Sequence, residues 1–182
     1  MSNENNLIFR ETATQPCDLK KKTCCFTGYR PQKLPWKFNN SSKEYLRVAN
    51  IVENLIEQSV KKGYRYFISG MAIGFDTLCA ETVLKIKASN PDIKLICALP
   101  CKEQDKYWSD LQHQNYERIL TQADAVRYVS EKYTKFCMQK RNKYMISNSS
   151  LVIALFDGQP GGTKSTLDMA KKTGLDILVI SP

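Results

Sequence analysis

Ser69-Gly70-Met71-Ala72-Ile73-Gly74-Phe75-Asp76 is the stretch that decides the fold of this chain. Tyr64 to Ile68, just before it, reads as a short strand. From about Gly74 to Lys87 the residues Leu78, Cys79, Val83 and Ile86 recur on one helical face. Two glycines therefore bracket a strand-to-helix turn. The first N–H groups of a helix have no partner within it, and the helix dipole adds positive potential there, so such a turn suits an anion. Asp76 falls in the first helical turn, where it can hydrogen-bond a ribose hydroxyl or a water. The plain alternative is a carboxylate that complements the helix dipole, worth about 0.3–1 kcal/mol.

The same alternation runs outward in both directions. Upstream, Thr23 to Thr27 is a short strand ending at Gly28. Val48, Ile51, Val52, Leu55, Ile56 and Val60 then follow helical spacing, with Gly63 as a stop. Downstream, strands are expected at Ile93 to Leu99, Ala125 to Val129, Leu151 to Phe156 and Ile177 to Ile180. Helices are expected near Lys106 to Thr121, Phe136 to Ser147 and Thr163 to Lys172. Strand alternating with helix predicts an α/β, three-layer sandwich with a mainly parallel central sheet. Ligands of such folds bind outside the carboxyl ends of the strands, near the switch in strand order.

Three more segments follow strands as that rule requires, and a fourth precedes one. Gly28-Tyr29-Arg30 follows the first strand: the glycine permits a tight turn, Tyr29 can stack on a base, and Arg30 can fork onto a phosphate, or the whole is a turn with a surface arginine. Asp157-Gly158-Gln159-Pro160-Gly161-Gly162-Thr163 follows the fifth strand and opens a helix that Thr163 can cap, or Thr163 can bond a phosphate oxygen. Arg141 and Asn142 precede that strand, and Arg141 can neutralise phosphate or lie on an exposed amphipathic helix. Pro100, Cys101, Gln104, Tyr107 and Trp108 follow the third strand, where aromatics can flank a base or serve as packing. Gly158 to Ser165 comes close to the Walker A spacing, but Thr163 replaces the glycine before Lys164 and little chain follows, so a Walker-type NTPase is not expected.

Composition narrows the chemistry. At 182 residues the chain suits one domain. Met1 to Lys22 is polar, ends in Lys20-Lys21-Lys22 and reads as a flexible basic extension to a domain over 23–182; it has no apolar core of a secretory signal. No apolar run approaches the roughly 20 residues that cross a membrane, so a cytoplasmic protein with no membrane partner is expected. Seven cysteines lack C-x-x-C spacing and His113 is the one histidine, so reduced thiols are expected and no metal site. Histidine-based catalysis is likewise not expected, leaving Asp76, Glu81 or Asp157 for any acid–base role. The net charge of +9, with Lys132, Lys135, Lys140, Arg141 and Lys143 in one acid-free stretch, favours anionic partners, nucleic acid among them, or is a solvated surface.

SGMAIGFDTLCAE (Ser69 to Glu81) resembles the strand-glycine-helix motif of the SLOG superfamily, which includes DprA and the LOG-type phosphoribohydrolases. CCFTGYRPQKLPW (Cys24 to Trp36), KRNKYMISNSS (Lys140 to Ser150) and FDGQPGGT (Phe156 to Thr163) resemble, in order and spacing, its YpsA-like branch of bacterial or phage proteins. The resemblance implies a Rossmann-like fold and a pocket for a nucleotide or nucleotide-derived small molecule, with no cofactor required. The expected ligand-binding residues are Gly28, Tyr29, Arg30, Ser69, Gly70, Met71, Ala72, Gly74, Asp76, Pro100, Arg141, Asn142, Asp157, Gly158, Gly161, Gly162 and Thr163. LOG-type hydrolases carry P-G-G-x-G-T-x-x-E with a catalytic glutamate; here Pro160-Gly161-Gly162-Thr163 is shorter and Asp168 is the nearest acid after it. Binding or sensing is therefore the first expectation. Hydrolysis at an N-glycosidic bond by Asp76 or Glu81 is the second, and a DprA-like single-strand binder the third. Apolar residues around Trp36 and Phe38 suit a partner surface or internal packing, and a homo-oligomer stays open.

Overall fold

Thr23–Thr27 (β1) is five consecutive buried residues, the pattern of a strand covered on both faces. The computed structural model describes residues 16–182. β1 pairs with Tyr66–Ser69 (β2) on one side and with Leu151–Leu155 (β5) on the other. Lys94–Leu99 (β3) and Ala125–Tyr128 (β4) continue the sheet beyond β2, and Asp176–Ile180 (β6) continues it beyond β5. The order is β4-β3-β2-β1-β5-β6 and every pairing is parallel.

Helices cover both faces. Lys43–Lys61 (α2), Phe75–Lys87 (α3) and Asp110–Gln122 (α4) bury Val48, Val83 and Ile119 against Phe26, Phe67 and Leu95. On the opposite face Cys137–Ser147 (α5) and Gly162–Lys172 (α6) bury Met145 and Leu167 against Cys25, Ile68 and Val152. The three layers are those of a Rossmann-type fold. The chain winds outward from β1 to β4, then returns across β1 to place β5, so strand order reverses at the carboxyl ends of β1 and β5.

Two boundaries differ from the sequence expectation. Residues 16–22 are no loose extension: Pro16–Lys21 (α1) is helical, Leu19 is buried, and Thr23 Oγ1 donates to the Leu19 carbonyl at 2.7 Å. Residues 1–15, the rest of that expected extension, lie outside the described residues. α4 starts at Asp110 rather than near Lys106 because Ser109 and Gln112 cap it reciprocally, each side chain accepting the other's backbone N–H.

Cys24, Cys25, Cys79, Cys97, Cys101 and Cys137 are buried free thiols, and burial pushes Cys25 and Cys97 up to about 12. Trp36 is buried edge-on to Tyr45, whereas Phe38 is exposed, so of these two aromatics only Phe38 offers itself to a partner. Among the described residues no helix is long and apolar enough to cross a membrane.

Candidate functional site

The loop after β1 and the turn after β2 are built against each other. A Cβ on Gly28 would lie 2.5 Å from the Phe75 ring, and one on Gly74, at φ +104°, would lie 2.7 Å from the Tyr29 carbonyl. That carbonyl accepts the Phe75 N–H at 3.2 Å. Ser69 Oγ accepts the Met71 N–H at 3.1 Å and donates to the Asp76 carbonyl at 2.8 Å, closing the turn in which Met71 takes φ +55°. Ser69, Met71 and Gly74 thus shape the site from beneath and do not line it.

A second link joins the loop after β1 to the loop after β5. Tyr29 is buried beside Phe156, and its hydroxyl donates to the Asp157 carboxylate, which also accepts the Gln159 N–H at 2.9 Å. Those two donors, Tyr29 first, hold the Asp157 carboxyl below its ordinary range. Asp157 is a latch for the tyrosine rather than a free acid.

Between these loops opens a cavity of about 340 Å³, at the reversal of strand order. Gly28, Tyr29, Arg30, Ala72 and Asp76 line it from one side, and Arg141, Asn142, Gly162 and Thr163 from the other. Beneath it lies a buried ion pair: Arg141 Nη1 is 3.1 Å from Asp76 Oδ2, with both side chains nearly inaccessible. Burial pushes the Asp76 carboxyl up, opposed by Arg141 and the Ala72 N–H; burial likewise pushes the Arg141 guanidinium down, opposed by Asp76. The guanidinium lies on Gly70, and among the described residues its Nε has no partner. Arg141 therefore belongs to the floor of the site and not to the exposed basic stretch. Asn142 donates to Thr166 Oγ1 at 2.9 Å, tying α5 to α6.

The free positive charge comes from elsewhere. Pro31–Lys33 forms a single 3-10 turn, and it sets Arg30 and Lys33 on one wall of the cavity. Among the described residues Arg30 has no carboxylate partner, and Lys33 Nζ sits 5.7 Å from the centre of the Tyr29 ring. Opposite, Gly161 is the N-cap of α6, no side chain caps the helix's first amides, and the helix opens on the cavity through Gly162 and Thr163. Gly161 lies near Lys33, whose Nζ would be 3.5 Å from a Cβ there; Gly158 stands in open space. Sequence reading missed Lys33, although Pro31 at the first helical position signals the turn that brings residues three apart together.

Two expected residues lie apart. Pro100 is buried and lines no part of this cavity. Glu81 forms an ion pair with Arg118 at 2.6 Å and lines a separate hollow of about 540 Å³, so it does not join Asp76 in one site. Gln104, Tyr107 and Trp108 line a third hollow of about 330 Å³ that shares Arg30, Gln32, Ala72 and Met138 with the first. Among the described residues Asp105, His113 and Glu117 bring possible metal-ligand atoms within 4.8 Å of one another. His113 Nδ1 is already paired with Asp105 there, at 2.6 Å, and none of the three lines the cavity.

Comparison with known proteins agrees with this architecture. The sequence profile of the YpsA family, described as the YspA SLOG family, matches residues 24–178. The chain is 40% identical over 134 residues to the SPbeta prophage-derived protein YoqJ of Bacillus subtilis, covering 66% of this chain and 78% of YoqJ. It is 28% identical over 169 residues to a UPF0398 protein of Halalkalibacterium halodurans, covering 88% of each. Among solved structures it resembles DNA processing protein A (DprA) of Streptococcus pneumoniae, with a TM-score of 0.60, 22% identity and 88% of this chain covered, but it spans only 50% of that protein. DprA of Helicobacter pylori, solved for its single-stranded DNA binding mode, gives a TM-score of 0.59 at 18% identity, covering 91% of this chain and 67% of that one. At such identities the likeness is one of fold. With the family profile spanning both glycine turns and the α5 segment between them, the chain belongs to the YspA SLOG family.

Proposed function

We propose that this protein binds a nucleotide or nucleotide-derived ligand by its phosphate, in the cleft between the ends of β1 and β5. The carrying observation is the pairing of Arg30 and Lys33 with the uncapped start of α6 across one cavity. Two cations that form no ion pair among the described residues, facing a helix start that no side chain caps, form an anion site of the kind helix N-termini supply. The reading is one of binding without turnover. Asp76 is committed to Arg141, and Glu81 faces another hollow, so neither acid is free to activate water in the cleft.

A thermal-shift series with mononucleotides, dinucleotides and cyclic nucleotides, with product analysis of each hit, tests it. A ligand at 100 times its Kd stabilises the fold by about 2.7 kcal/mol. The shift is expected to disappear in Arg30→Ala/Lys33→Ala. A shift that survives in this double variant places the ligand elsewhere, and turnover lost in Asp76→Asn makes the protein a hydrolase.

A second reading, single-stranded nucleic-acid binding, is favoured by the exposed Lys132, Lys135, Lys140 and Lys143 and by the DprA-like fold. Its signature is oligonucleotide binding that weakens steeply with salt and falls in Lys140→Glu/Lys143→Glu. No oligonucleotide binding at low salt removes it.

A further inference from the structure

We infer that the hollow lined by Phe38, Tyr107 and Trp108 receives the base of the bound nucleotide, and that Gln104 favours a base carrying an exocyclic amine. The inference rests on the phosphate reading above. The hollow adjoins the phosphate cavity, and Arg30, Gln32, Ala72 and Met138 line both. A ligand anchored by phosphate at Arg30 and Lys33 therefore has this adjoining space for its remaining groups, and the lining changes from cationic to aromatic.

Two of its three aromatic residues are open to solvent. Tyr107 is 90% exposed and Phe38 58% exposed, and among the described residues neither ring stacks on another. Trp108 is held edge-on against Tyr116 at 5.1 Å between ring centres, which fixes it as one side of the hollow. Apolar ring faces grouped beside an anion site suit a flat heterocycle, which gains stacking area and loses little freedom.

Gln104 supplies the polar edge. Its Nε2 donates to the Met71 carbonyl, with the Gly70 carbonyl also within 3.5 Å. Two carbonyls on that side require the amide nitrogen there, which fixes the orientation of the group. Among the described residues the Gln104 Oε1 has no donor, and it is shut off from solvent, so an arriving base must displace a neighbouring side chain to reach it. An exocyclic amine, as on adenine or cytosine, supplies the missing N–H; a 6-oxo purine in its place presents a second acceptor.

The surroundings also limit ligand length. Beyond Phe38 the groove passes into the hollow that holds Trp36, Tyr45, Leu111 and Glu81, where Lys37 is the one cation among the lining residues. A run of further phosphates finds little positive charge along that path. The geometry points to a single nucleotide unit rather than a threaded strand.

Calorimetry on the full chain with AMP, IMP and ribose 5-phosphate tests this, using Tyr107→Ala, Phe38→Ala and Lys33→Ala. Both aromatic side chains are exposed, so their removal spares the fold. AMP is expected to bind at least about tenfold more tightly than ribose 5-phosphate, and more tightly than IMP. Each aromatic variant should weaken AMP by about 5- to 150-fold, the range of one lost stacking contact, and leave ribose 5-phosphate unchanged. Lys33→Ala should weaken both. Equal binding of AMP and ribose 5-phosphate, both lowered by Lys33→Ala, overturns the base subsite and leaves the phosphate site standing. Equal binding of AMP and IMP overturns the role given to Gln104. Binding indifferent to Lys33→Ala, or absent for all three probes, overturns the phosphate reading itself and the subsite with it.

Discussion

The guanidinium of Arg141 occupies the space that a side chain at residue 70 would need: a Cβ on Gly70 would fall 1.4 Å from Nη1. The absence of a side chain at one strand end is thus the condition for a buried ion pair formed across 65 residues of sequence. Gly70→Ala is expected to displace the guanidinium and leave Asp76 buried without its counter-charge, costing about 3–5 kcal/mol. Urea denaturation measures it; a loss below about 1 kcal/mol means that Arg141 has another place to go.

The pair itself gives a sharper comparison. Arg141→Met should cost a similar amount, because a lone buried carboxylate remains. Asp76→Leu/Arg141→Met replaces both charges with apolar groups and should recover most of that loss, a coupling that a double-mutant cycle reads directly. Equal instability of the single and double variants would show that the positions matter for shape rather than charge.

Two glycines in the cleft separate binding from architecture. Gly162 begins α6, lines the cavity, and has nothing within 4 Å of a Cβ placed on it. Gly162→Ala should leave stability unchanged or raise it by up to about 1 kcal/mol, while a methyl at the proposed phosphate position should weaken nucleotide binding by about tenfold or more, a loss of about 1.4 kcal/mol. Gly28→Ala meets Phe75 at 2.5 Å and should destabilise instead. Thermal melts with and without ligand distinguish the two.

Asp124 carries the clearest pH dependence. Burial pushes its carboxyl up, but Lys87 at 2.6 Å, the Leu95 N–H at 2.9 Å and Lys94 at 3.3 Å together outweigh that and hold it below the ordinary range. The folded value lies below the unfolded one of about 3.9, so the stabilisation is present above about pH 4. It is lost as pH falls through the folded value. Asp124→Asn should cost about 1–3 kcal/mol at pH 7, and its gap to the parent should narrow towards pH 3. Urea titrations at both pH values give the comparison, and a constant gap refutes it.

Legibility in the sequence followed the range of the interactions. Leu151–Leu155 is uniformly apolar and reads as a buried strand without help from its neighbours. Gly162 and Thr163 were found because a glycine turn between strand and helix is local. Leu19 was not, since one apolar residue in a polar run has no period. Arg141 stood out as a phosphate contact, but its burial against Asp76 was not legible, because that pair forms across 65 residues of sequence. Glu81 was misleading for a geometric reason: five helical residues turn it about 140° away from Asp76, towards Arg118 on α4.

The register of the sheet has a consequence for the growing chain. Cys24 lies beside Leu151, so the two walls of the cleft come from opposite ends of the domain. β2, β3 and β4 can assemble on β1 while β5 is still unsynthesised, but the second wall cannot. Pairings so distant in sequence carry a large closure cost and form late. The cleft is therefore among the last features to exist during synthesis. On the proposed reading, a nucleotide meets no complete site on a partly made chain and acts only on the final docking of β5 and α6.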